Sequence, residues 1–78
     1  MTKTFKLKDF QDKITTHELI KEDQIKDIIY MKLSGDEYII VTYLDGTQDF
    51  YDSCDSRSMS CFDSAKVITI DELCALNQ

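Results

Sequence analysis

Seventy-eight residues with 42% hydrophobic content and a net charge of −6 describe one small folded domain rather than a disordered chain. No apolar run approaches the roughly 20 residues that cross a bilayer, and no apolar core follows the N-terminal lysines as in a signal peptide, so the cytoplasm is the expected compartment. Residues 1–32 carry seven lysines against six acids, whereas residues 33–78 carry two basic residues against nine acids, a balance of +1 against −7 that argues against direct binding to nucleic acid.

Thr4 to Lys8 alternates, with Phe5 and Leu7 opposite Lys6 and Lys8, and predicts a short edge strand. Asp9 is an alternative cap for a helical turn holding Phe10 and Ile14. Thr15 and Glu18 have capping-box spacing, which predicts a helix from about Thr16 to Gln24. Its apolar stripe, Leu19 and Ile20, is narrow. His17 would be a surface residue at the start of that helix.

Ile28 to Asp52 predicts three strands joined by two tight turns. Asp45-Gly46 suits a two-residue type I′ turn, which would set Tyr43 against Gln48, Val41 against Phe50 and Ile39 against Asp52. Gly35-Asp36 suits a type II′ turn, which would set Leu33 against Tyr38, Met31 against Ile40 and Tyr30 against Val41. Side chains alternate between faces along a strand. One face then holds Ile28, Tyr30, Ile39, Val41, Tyr43 and Phe50; the other holds Ile29, Met31, Leu33, Tyr38, Ile40 and Tyr51. Both faces are apolar, so each needs a cover: helices of this chain, a second layer, a copy of itself or a partner.

Residues 53–64 hold five serines and lose apolar periodicity, which predicts a long surface loop within the single domain 1–78. Lys66 to Ile70 predicts a last strand with β-branched Val67, Ile68 and Ile70. A second capping box, Thr69 to Glu72, opens a short C-terminal helix with Leu73, Cys74 and Leu76. The expected class is α+β: a small antiparallel sheet, made of a three-stranded meander with N- and C-terminal strands, and one or two short helices.

No constellation carries chemistry. Cys54, Cys61 and Cys74 lie at C-x6-C-x12-C spacing and lack the close pair that structural zinc sites use. A Cys54–Cys61 disulfide requires an oxidising environment; three irregularly spaced cysteines fit reduced thiols better. Asp52 to Asp63 has the length of a calcium loop but carries Arg57 where glycine is needed and ends in Asp rather than Glu. Two glycines cannot form a phosphate-binding loop. No catalytic group, metal or cofactor is expected.

The acids lead further. Asp36, Glu37, Asp45, Asp49, Asp52 and Asp55 crowd the turns and strand ends beside Tyr38 and Tyr51, and these eight residues are the candidate partner-binding set. Carboxylates that keep a surface solvated are one account. The other is imitation of nucleic-acid phosphates, with tyrosines as interface anchors. In size and charge alone the chain resembles anti-CRISPR and DNA-mimic inhibitors encoded by phages and mobile elements. That resemblance implies a protein partner, basic and nucleic-acid-binding. A homo-oligomeric structural or accessory protein, with the second apolar sheet face as its dimer interface, is the alternative.

Overall fold

The computed structural model describes residues 2–33, 35–52 and 64–78. It comprises two antiparallel sheets, one short helix and one 3-10 turn. Strands β1 (Lys3–Lys8) and β2 (Ile14–Leu19) form a hairpin. The 3-10 turn (Glu22–Gln24) leads into β3 (Ile25–Leu33), followed by β4 (Asp36–Tyr43), β5 (Gln48–Asp52), β6 (Ser64–Ile68) and helix α1 (Ile70–Cys74). The larger sheet has the order β5-β4-β3-β6. The surface loop expected over residues 53–64, including its cysteines, lies outside the described residues apart from Ser64, which begins β6.

The helix expected from about Thr16 to Gln24 is a strand as far as Leu19, followed by a turn and the 3-10 turn Glu22–Gln24. Along β2 Thr15 and His17 are half-buried and Leu19 is buried, while Thr16 and Glu18 are exposed, a period of two rather than 3.6. Consecutive β-branched threonines disfavour helix, and β1 offers six paired residues, so the capping-box spacing is overridden. His17 is accordingly no helix-start surface residue: its ring stacks on Phe5 at 5.4 Å. Asp9 shapes the hairpin loop rather than a helix. Its Oδ1 accepts from the backbone N–H groups of Gln11 and Lys13, both at 2.9 Å, and Asp12 takes a φ of 63°.

Both turns of the central segment differ from expectation. Leu33 pairs with Asp36, so Met31 faces Tyr38 and Tyr30 faces Ile39. A displacement of two residues keeps every side chain on its expected face. The Asp45-Gly46 turn is a three-residue loop. Gly46 N–H donates to Tyr43 O at 3.0 Å, Tyr43 N–H donates to Thr47 O at 2.9 Å, and Gly46 has a φ of 93°. Type I′ needs positive φ at both central residues, and Asp45 does not have it. The resulting one-residue slip pairs Ile40 with Phe50 and Ile39 with Tyr51, which exchanges the two faces of β5.

The C-terminal capping box is present. Glu72 N–H donates to Thr69 Oγ1 at 3.1 Å, and Thr69 N–H donates to Glu72 Oε1 at 2.9 Å. Because Thr69 serves as the cap, β6 ends at Ile68 and Ile70 starts the helix.

The core lies between the two sheets. Phe5 and Leu7 of β1, Leu19 of β2 and Leu73 of α1 pack on Ile28, Ile39, Val41, Tyr43 and Ile68 of the larger sheet. Each such side chain contributes about 1.5–3 kcal/mol by leaving water. The hairpin and α1 thus cover one face of that sheet, the inner face.

Candidate partner-binding surface

The expected binding residues divide by what the fold does with each carboxylate. Glu37 is buried at 5% exposure. It accepts from Lys8 N–H at 2.6 Å, Tyr30 Oη at 2.6 Å and Asn77 Nδ2 at 2.7 Å. Asn77 Nδ2 also donates to Lys6 O at 2.9 Å. The carboxylate ties β1, β3, β4 and the segment after α1 together, so Glu37 is a structural residue rather than a contact for a partner. Burial, with the Glu37 hydrogen bond and charge, pushes the Tyr30 phenol above its ordinary pKa.

Asp36 is half-buried, and its Oδ1 accepts from Phe10 N–H at 2.9 Å. This bond anchors the β1–β2 loop to the start of β4. Tyr38 is buried and cannot serve as an exposed anchor. The Asp52 backbone pairs with Tyr38, while its side chain, like all of Asp55, lies outside the described residues.

Asp45 and Asp49 are exposed. Asp45 Oδ1 accepts from Thr47 Oγ1 at 2.7 Å and Thr47 N–H at 3.0 Å. These bonds to the Thr47 side chain and backbone hold its carboxyl below the usual range, so it stays ionised. Asp49 Oδ2 accepts from Tyr43 Oη at 2.6 Å and Tyr51 Oη at 3.5 Å. Desolvation first, and the Asp49 hydrogen bond second, raise the Tyr43 phenol; desolvation also raises that of Tyr51. The Tyr51 ring sits edge-on to Phe5 at 5.2 Å and to His17 at 5.5 Å, half-buried on the inner side.

Among the described residues, ion pairs are confined to the first half of the chain. Among the described residues the ion pairs are Lys3–Glu22 at 3.5 Å and Lys8–Asp12 at 4.0 Å. No described carboxylate after residue 33 lies within ion-pair distance of a described lysine. The described acids of the second half therefore present their charge to solvent or to the fold's own donors.

No family model, curated protein or solved structure matches the chain. Geometry alone therefore has to locate the surface.

The outer face of the larger sheet carries exposed apolar side chains that the expected set does not include. Phe50 pairs with Ile40, Ile40 with Ile29 and Ile29 with Val67, so one apolar side chain from each strand forms a row across the sheet. Phe50 is 60% exposed and Val67 70% exposed, with Ile29 and Ile40 half-buried between them. The neighbouring row holds buried Tyr38 and Met31. On the other side lie Gln48, Thr42 and half-buried Asp27, with Gln48 Nε2 donating to Thr42 Oγ1 at 3.1 Å. Reading Leu44-Asp45-Gly46 as a three-residue loop would have exposed Phe50 from sequence; Val67 carries no such signal, because residues 67 to 70 do not alternate.

Elsewhere, β6 and α1 bound an open groove of about 350 Å³ lined by Tyr30, Lys66, Ile68, Glu72, Ala75 and Leu76. Its single lysine and single glutamate cancel, so it does not belong to the acidic surface. Cys74 is a half-buried free thiol. Among the described residues no three His, Cys, Asp or Glu side chains converge as metal ligands, and no helix is long and apolar enough to cross a membrane.

Proposed function

We propose that this chain is a small acidic, non-catalytic protein-binding module of the cytoplasm that inhibits a basic nucleic-acid-binding protein or complex, in the manner of phage-encoded anti-CRISPR or DNA-mimic inhibitors. The observation that carries this reading is the negative charge of the second half: no described carboxylate after residue 33 lies within ion-pair distance of a described lysine, and Asp45 and Asp49 are exposed and held in place by Thr47, Tyr43 and Tyr51. Held carboxylates at a surface steer and orient a cationic partner at little cost in side-chain entropy. A homo-oligomeric structural or accessory protein is the second reading, favoured by the exposure of Phe50 and Val67.

The test is immobilised protein exposed to cell extract and eluted in rising salt, followed by identification of bound proteins and a DNA- or RNA-binding assay on each. A basic nucleic-acid-binding protein that elutes with salt and loses its nucleic-acid binding when the chain is added supports inhibition. Asp45→Lys with Asp49→Lys should weaken that complex at least tenfold, since each reversal replaces attraction by repulsion at a charged interface. Binding that ignores both salt and the double reversal would remove the inhibitor reading. A chain that captures nothing and runs as a dimer would transfer the assignment to self-association.

A further inference from the structure

We infer that the Phe50–Ile40–Ile29–Val67 row is the seat for a cationic segment of the partner that carries apolar anchors at its centre and lysine or arginine at its flanks. The inference rests on the basic-partner reading and specifies its contact surface. Four strands set about 4.8 Å apart give a row about 14 Å long, the length of two to three helical turns or four extended residues. The ends of the row are the most open, with Phe50 at 60% and Val67 at 70% exposure. These are the side chains that gain most from being covered.

Charge selects the occupant. On the outer face the described positions are Asp27, Ile29 and Met31 of β3, Asp36, Tyr38, Ile40 and Thr42 of β4, Gln48 and Phe50 of β5, and Ala65 and Val67 of β6, as alternation and register place them. Asp27 and Asp36 are the charged residues among them, both acidic, and no lysine occupies these positions. Strands β4, β5 and β6 all belong to the half of the chain that carries −7. A cationic segment crossing this face meets apolar side chains at its centre and negative potential around them. A second copy would bring like charges together, and a single row with two half-buried members is small beside the roughly 800 Å² that each partner of a standard interface contributes. A short segment fits where a whole domain does not.

The probes are three synthetic peptides of equal length, alternating Lys/Leu, Lys/Ser and Glu/Leu, titrated into the isotopically labelled full chain and followed by its amide resonances. The expected result is tightest binding by Lys/Leu, with shifts centred on Ile29, Ile40, Phe50 and Val67, and a loss of at least tenfold in the Phe50→Ser, Val67→Ser double variant. Both substitutions fall on exposed side chains, and the unperturbed spectrum of the variant certifies its fold. Equal binding of Lys/Leu and Lys/Ser, or an unchanged affinity in the double variant, overturns the assignment of the row while leaving the basic-partner reading intact. Failure of both cationic peptides to bind at low salt overturns both. Equal binding of Glu/Leu overturns the charge selection. Concentration-dependent broadening of the same resonances without peptide gives the row to a second copy and overturns the inference.

Discussion

Glu37 shows how a carboxylate can belong to the interior of an acidic protein. Its two oxygens accept three hydrogen bonds from β1, β3 and the segment after α1, so truncation strands Lys8 N–H and Tyr30 Oη and leaves Asn77 Nδ2 only its bond to Lys6 O. Buried hydrogen bonds to a charged group are worth roughly 1.5–3 kcal/mol each, and orphaned donors add their desolvation. Glu37→Ala should therefore destabilise by about 3 kcal/mol or more, a fall of at least about 12 °C in Tm for a domain of this size. Glu37→Gln, which keeps two acceptor lone pairs, should lose less than half of that in thermal melts. A melting point unmoved by Glu37→Ala would contradict the tie. Tyr30, Tyr43 and Tyr51 make a second prediction. Their phenols bind protons more tightly in the folded chain than at the ordinary value of 10.0. The stability this confers is complete below pH 10 and is lost as pH rises above it, by at most about 1.4 kcal/mol per pH unit for each tyrosine. Alkaline titration followed by phenolate absorbance should show ionisation coinciding with unfolding; phenols that titrate normally while the fold survives would refute it. From sequence, Glu37 and Asp36 were indistinguishable from any surface acids, because nothing local reveals that the chain returns to donate Lys8 N–H and Asn77 Nδ2.

Among the elements, the two turn glycines separate strain from crowding. Both hold positive φ, 92° at Gly35 and 93° at Gly46. A Cβ at Gly46 meets nothing within 4 Å, whereas one at Gly35 would lie 3.1 Å from the Phe10 Cα. Gly46→Ala should cost about 1–2 kcal/mol of backbone strain. Gly35→Ala should cost about 1–3 kcal/mol more, because backbone rather than a flexible side chain must move. Denaturant midpoints for the pair give the order; equal losses would mean that the Phe10 loop yields freely. The elements that sequence made legible were those with local signals: alternation in Thr4 to Lys8, β-branched runs in the larger sheet and the Thr69–Glu72 box. The missed ones depended on distant partners. Thr15 to Glu18 has a local helix-start pattern, and only pairing with β1 makes it a strand. Asp45-Gly46 admits two loop lengths, and the packing of Tyr51 on Phe5 and His17 accompanies the longer one.

For the whole molecule, the charge imbalance predicts an unusual response to salt. A net charge of −6 with ion pairs confined, among described residues, to Lys3–Glu22 and Lys8–Asp12 leaves the second half repelling itself. Raising ionic strength from about 0.01 to about 0.15 M shortens the screening length from about 30 to about 8 Å and should raise Tm by a few degrees. Circular dichroism melts at the two salt concentrations measure it, and a fall in Tm would mean that attractive pairs dominate. The same salt should weaken any complex with a basic partner, so free and bound chains respond in opposite senses. The sequence conveyed the acidity and the need to cover both sheet faces. It could not convey which face the chain covers itself, because that depends on the β1–β2 hairpin folding back over Ile39 and Val41.

The Leu44–Gly46 loop makes the chemistry of β5 a matter of counting residues. Deleting one residue there would restore a two-residue hairpin and rotate β5 by half a pleat. Phe50 would turn inward, and Asp49 and Tyr51 would take its place at the surface without a single substitution in the strand. An insertion or deletion in this loop would exchange a greasy edge for a charged one in a single mutational event. Partner preference would then diverge by jumps in loop length, where aligned strand residues show no change at all.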